Sequence, residues 1–308
     1  MEPLTNAQRR AVLSEFLERV EDGKGLLPEP KPFPYDPVPE IATAAWRVLI
    51  VDEMVGGDLR ELTNSMNQWL GNLRRWHAWN QVLGKHHEDV RLETEWEWVE
   101  PLAFHCMVQP SSMRDRLVMV ATHALHQVRI ALDPTIKDEL LGDPTSPGER
   151  GFFPSRRDKE RQLRGLAGAW SAGESFVLGL GYLDDRGHRT LTADFRNRAS
   201  HGIAPRFSVG FTAMVTRTRE QATALEKQAD GTFKVVLVPA KMSTSYGFGG
   251  TPPLSMEHAR ETNRSQFECA RRTFDGYVAL LTEAVTALQR RPEPPAEGAE
   301  HVVQNGEA

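Results

Sequence analysis

Residues 58–83 read DLRELTNSMNQWLGNLRRWHAWNQVL. Leu62, Met66, Trp69, Leu73, Trp76 and Leu83 recur at intervals of three, four and seven, which lines them up along one side of a helix. Asp58 suits the start of that helix and Gly84 its stop. At this spacing Trp69, Trp76 and Trp79 are expected in a core or a dimer seam, not as a surface for stacking bases.

The same periodicity extends outward in both directions. Upstream, Thr5 caps a helix to Val20 whose stripe is Val12, Leu13, Phe16, Leu17 and Val20. A proline-rich connector, Leu27 to Pro39, is extended because proline cannot continue a helix. Ile41 to Met54 reads as a further helix, broken by Gly56-Gly57. Downstream, the acidic and aromatic run His86 to His105 reads as a short extended excursion. Ser111-Ser112 then caps a helix to Leu132, and residues 134–154 read as loop. Helices are expected from Ser155 to Trp170, from Glu174 to Leu183 and from about Thr192 to His201. Gly202 and Pro205 end the last of these.

The pattern then changes. Arg206 to Thr216 alternates and Thr232 to Val238 is β-branched, which predicts a pair of strands. A final helix runs from about Ser255 to Leu288, and the tail Pro292 to Ala308 lacks any apolar period and reads as disordered. The fold expected is mainly α, a helical bundle with a small β-strand pair inserted before the last helix. Its parts are an N-terminal helix and connector over 1–40, a helical domain over 41–290 with the β insertion at about 206–240, and a tail over 291–308.

Composition narrows the function. The chain has 308 residues, 40% hydrophobic and 26% charged, an ordinary balance for a protein with a real core. A net charge of −5 argues against a coat of positive charge, although it leaves room for a local basic patch. The two cysteines, Cys106 and Cys269, form no CxxC and are expected to be buried, reduced thiols. No signal peptide or long apolar span is visible, so the expected location is cytoplasmic.

The chemically loaded segment is Arg196-Asn197-Arg198-Ala199-Ser200-His201. Arginine offers a permanent charge in a planar fork that fits phosphate. Histidine exchanges a proton near neutral pH. In mid-helix the two would sit about 140° apart, so they act together only at a helix end or across a second copy of the chain. Such a pair suits attack of an RNA 2′-hydroxyl on its neighbouring phosphodiester, a reaction that needs no metal or cofactor.

At these residues the sequence resembles the HEPN superfamily, whose hallmark is an arginine and a histidine separated by four to six residues, often with asparagine after the arginine. Arg196-Asn197-xxx-His201 matches that form. The resemblance implies a helical bundle, a homodimer with a shared cleft, and metal-independent endoribonuclease activity. It places Arg196, Asn197 and His201 in the catalytic role. It also implies a toxin or antiviral defence effector, with an antitoxin or defence protein as a partner. Some members carry a modifiable tyrosine two residues after the histidine; here that position is Ile203. The alternative is a non-catalytic helical module that binds RNA or protein through the same surface.

Arg189, Arg198 and Arg206 are the expected RNA-binding cations. A second basic run, from Arg156 to Arg164, is interleaved with Asp158 and Glu160 and reads as a solvated helix face. His123 and His126 lack a carboxylate at neighbouring helical turns, so no metal site is expected there. Tyr246 to Gly250 lacks the lysine and following helix of a phosphate-binding loop.

Overall fold

A computed structural model of the chain describes residues 4–22 and 31–290. The first part of the proline-rich connector and the tail Pro292–Ala308 lie outside the described residues. The fold is mainly α, with a two-stranded antiparallel sheet before the last helix, as the sequence predicts. Helices α1 (Asn6–Asp22), α2 (Val51–Leu83), α3 (Glu88–Thr94) and α4 (Glu100–Leu132) come first. α5 (Arg156–Ala167), α6 (Gly173–Tyr182), α7 (Arg186–Leu191) and α8 (Phe195–Ser200) follow. Strands β1 (Val215–Lys227) and β2 (Phe233–Phe248) precede α9 (Met256–Gln289).

Two compact units emerge. Of the described residues, the first comprises 4–22, 69–111 and 184–266, and the second 31–68, 112–183 and 267–290. In the first unit α1 starts with a reciprocal cap: the Thr5 N–H donates to Gln8 Oε1 at 2.9 Å, and the Gln8 N–H to Thr5 Oγ1 at 3.3 Å. Trp69 and Trp76 are fully buried, and Trp79 stacks on Phe16 at 4.2 Å and on Trp98 at 5.6 Å. The tryptophan stripe is therefore core.

In the second unit Leu59, Leu62 and Met66 of α2 and Met113, Leu117 and Val128 of α4 are buried. Phe176 of α6 packs against Tyr277 of α9 at 5.7 Å. The end of the proline-rich connector docks here. Asn67 holds the Phe33 backbone at both N and O, and the Phe33 ring meets Phe274 at 4.8 Å.

Four expectations about the helices and strands are corrected. Gly56-Gly57 does not break a helix, because α2 runs through both, and Ile41 lies in a 3-10 turn, Pro39–Thr43. The continuous buried row Val55, Leu59, Leu62 and Met66 outweighs the local cost of two glycines. The run His86–His105 is not extended. It forms α3, a π-helical turn over Glu95–Val99 and the first turns of α4. The π turn inserts a residue into the helical repeat. Val99 at its end and Ala103, Cys106 and Met107 beyond it are all buried. Nor does α4 begin at Ser111; Pro110 lies inside it. Finally, the first strand is displaced to 215–227, whereas the second contains 233–238 as expected and runs on to Phe248; residues 206–214 make only isolated bridges, Phe207 to Leu254 and Thr212 to Thr251. β1 mixes threonine with charge, so it carries no apolar alternation to mark it.

No helix among the described residues is long and apolar enough to cross a membrane. Cys106 is buried and its thiol is pushed up by burial, whereas Cys269 is half-buried, contrary to expectation.

Candidate functional site

The loaded segment is α8, within the first unit. Phe195 anchors it: the ring is buried, edge-on to Phe104 at 5.3 Å and tilted against Phe207 at 5.4 Å. Ala193 and Asp194, immediately before it, both hold positive φ, at 49° and 53°. Two successive left-handed residues set the direction in which α8 leaves α7.

The far end closes as the sequence predicts. His201 is the C-cap and Gly202 follows with φ of 72°. The Gly202 N–H donates to the Ala199 carbonyl at 3.0 Å and the Ile203 N–H to the Arg198 carbonyl at 3.0 Å. These paired bonds form a Schellman motif, which ends the helix and fixes the backbone that carries His201.

Phe195 is buried and Arg198 and Ala199 are half-buried, while Arg196, Asn197, Ser200 and His201 are exposed. At 100° per residue those four cover an arc of about 140°, with Arg196 at one edge and His201 at the other. The expected pair thus reaches solvent at the two edges of that arc, about 140° apart. Neither side chain makes a hydrogen bond or ion pair among the described residues. Asn197 is oriented: its Nδ2 donates to Asp194 Oδ2 at 2.9 Å. The Ser200 hydroxyl donates to the Asn197 carbonyl at 2.7 Å.

The three expected RNA-binding cations are not gathered with them. Arg198 turns to the hydroxyl of Thr251. Arg189 pairs with the buried carboxylate of Asp184 at 2.9 Å, and His188 Nδ1 lies 3.6 Å from the same carboxylate. Arg206 lines a cleft of about 340 Å³ together with Glu95, Trp96, Glu100, Phe207 and Met256. Burial pushes the Glu100 carboxyl up; Arg206 opposes that shift and Glu95 adds to it. Sequence reasoning missed this cleft. Its signal was the pair Glu95-Trp96 with Glu100, which the π turn over Glu95–Val99 places along one wall of it.

His123 and His126 belong to the second unit. His126 Nε2 lies 2.9 Å from Asp138, and His123 Nδ1 3.8 Å from Asp58. Among the described residues no group of three or more histidines, cysteines and carboxylates is placed to hold a metal. Comparison with protein-family models, curated proteins and solved structures finds no match to this chain.

Proposed function

We propose that the chain is a metal-independent endoribonuclease of the HEPN type, a toxin or antiviral defence effector acting as a homodimer. The carrying observation is the outward arc of α8, with Arg196 and His201 exposed, unpaired and flanking an oriented Asn197. In this reading Arg196 neutralises the scissile phosphate. The RNA 2′-oxygen attacks the adjacent phosphorus and the bond from phosphorus to O5′ breaks. The products are a 2′,3′-cyclic phosphate and a 5′-hydroxyl. One proton leaves the 2′-hydroxyl and one reaches O5′. His201 serves one of these transfers, and the arc of a second copy serves the other. Asn197 orients the phosphate or the imidazole.

A second reading has support of its own. With Arg189 and Arg198 engaged by Asp184 and Thr251, the arc has little added charge for gripping RNA, which suits the other alternative, a non-catalytic helical module, and suits it better as a binder of protein than of RNA. Labelled RNA incubated with purified protein in EDTA decides between them. The nuclease reading expects cuts that vanish in both Arg196→Ala and His201→Ala, with the far-ultraviolet circular dichroism and melting of the variants unchanged. Equal cutting by wild type and variants overturns the assignment. RNA binding without product favours the module.

A further inference from the structure

The β-ribbon has an asymmetry that the α8 arc does not explain. In an antiparallel pair, directly opposed residues point to the same face. The register sets Val215 opposite Phe248, Arg217 opposite Tyr246, Arg219 opposite Thr244 and Gln221 opposite Met242. One face of the ribbon's base therefore carries two arginines beside two aromatic rings. The Arg217 Nη2 donates across that face to Thr244 Oγ1 at 3.5 Å, consistent with the register.

This face is open. Tyr246 is 70% and Phe248 92% exposed, and Val215 and Met242 are more than half exposed. Neither Arg217 nor Arg219 meets a carboxylate among the described residues. The opposite face is built differently. There Thr218 and Ser245 share a hydrogen bond at 2.8 Å, and the Ser245 hydroxyl donates to Glu220 at 2.6 Å. The ribbon thus separates an acid-bearing side from a cationic, aromatic side that no described residue covers.

From this we infer that the face bearing Arg217, Arg219, Tyr246 and Phe248 is a platform for single-stranded RNA. The inference rests on the nuclease reading only for the choice of RNA. Bases stack on exposed aromatic faces whatever their sequence, and arginines alongside take the phosphates. Adjacent same-face positions on a strand are about 6.8 Å apart, a spacing that a splayed single strand can follow and a rigid stacked duplex cannot. The platform would hold substrate with little sequence preference. Charge complementarity favours this occupant over a second copy of the ribbon, whose own arginines would repel.

The test is fluorescence anisotropy with a labelled oligouridylate and an RNA duplex of the same length. All proteins carry His201→Ala, so that cleavage plays no part. The single strand is expected to bind more tightly than the duplex. Tyr246→Ala with Phe248→Ala should weaken it about tenfold or more. Arg217→Ala with Arg219→Ala should weaken it and flatten its salt dependence by about 1.4 in log–log slope. Binding equal in all variants, or equal for strand and duplex, overturns the platform even if the wild-type protein cuts RNA. Ribbon substitutions that change only the oligomeric state also overturn it and make the face a protein interface. Ribbon-dependent binding by a chain that never cuts RNA upholds the platform and sinks the nuclease reading.

Discussion

The side-chain amide of Asn263 donates to the carbonyl of Cys106 at 2.8 Å. That carbonyl is the one an ordinary helix would satisfy from position 110, where Pro110 has no N–H to give. Asn263 Oδ1 in turn accepts from the Trp69 indole at 2.8 Å, and all three groups are buried. One asparagine on α9 thus lets α4 pass through a proline and pins one of the two fully buried tryptophans of the first unit.

Loss of that asparagine removes two buried hydrogen bonds, one to the Cys106 carbonyl and one from the Trp69 indole. Asn263→Ala is expected to destabilise the protein by about 3 kcal/mol, near the combined cost of two lost buried hydrogen bonds. Urea denaturation measures it. Pro110→Ala restores an N–H for the Cys106 carbonyl, so the same substitution should cost less in that background. An identical cost in both backgrounds would show that the asparagine does not stand in for the missing donor.

Gly202 gives a second prediction. No atom lies within 4 Å of where its Cβ would be, so a side chain meets no clash and only the positive φ is penalised. Gly202→Ala should cost about 1 kcal/mol, and Gly202→Asn, which tolerates the left-handed conformation, should cost less. On the nuclease reading, RNA cutting should follow the same order, since His201 is the preceding residue. A variant series in which stability is flat from Gly to Ala would contradict the Schellman closure of α8.

Acid should reveal a third contact. Glu283 on α9 accepts the Ala172 N–H at 3.0 Å and the Ser171 N–H at 2.9 Å, just before α6. These backbone bonds, Ala172 first, hold the Glu283 carboxyl below the usual glutamate range. A lowered pKa in the folded state means stability that is complete above the ordinary value of about 4.3 and lost as pH falls through the lowered one. Urea midpoints for wild type and Glu283→Gln should differ near neutrality and converge on acidification from pH 5 downward. A gap that persists in acid would mean that the charge on Glu283 does not cap α6.

Much of this fold could be read from spacing. The stripe Leu62, Met66, Trp69, Leu73 and Trp76 announced a buried helix face, and Gly202 announced where α8 stops, because each is a local signal with one physical cause. Gly56-Gly57 misled because a long buried row overrides two weak residues. Glu95-Trp96-Glu97-Trp98 misled because its helical phase depends on a π turn that no two-state pattern anticipates. The segment with Arg196 and His201 was legible as the end of a helix. That both reach solvent on one arc depends on Phe195 turning inward against Phe104 and Phe207, contacts distant in sequence. The role of Arg206 was less legible, since its cleft is made with Glu95 and Glu100, more than a hundred residues away.

The two compact units change hands at 30/31, 68/69, 111/112, 183/184 and 266/267, and the second, third and fifth of these fall inside α2, α4 and α9. No single cut therefore releases a whole unit, and neither can be expressed as one uninterrupted stretch of its own residues. A chain severed in the loop between α4 and α5 would yield two fragments, each carrying incomplete portions of both cores. Such halves would be expected to regain structure together rather than apart, which makes this architecture a candidate for split-protein complementation and a poor donor of transplantable domains.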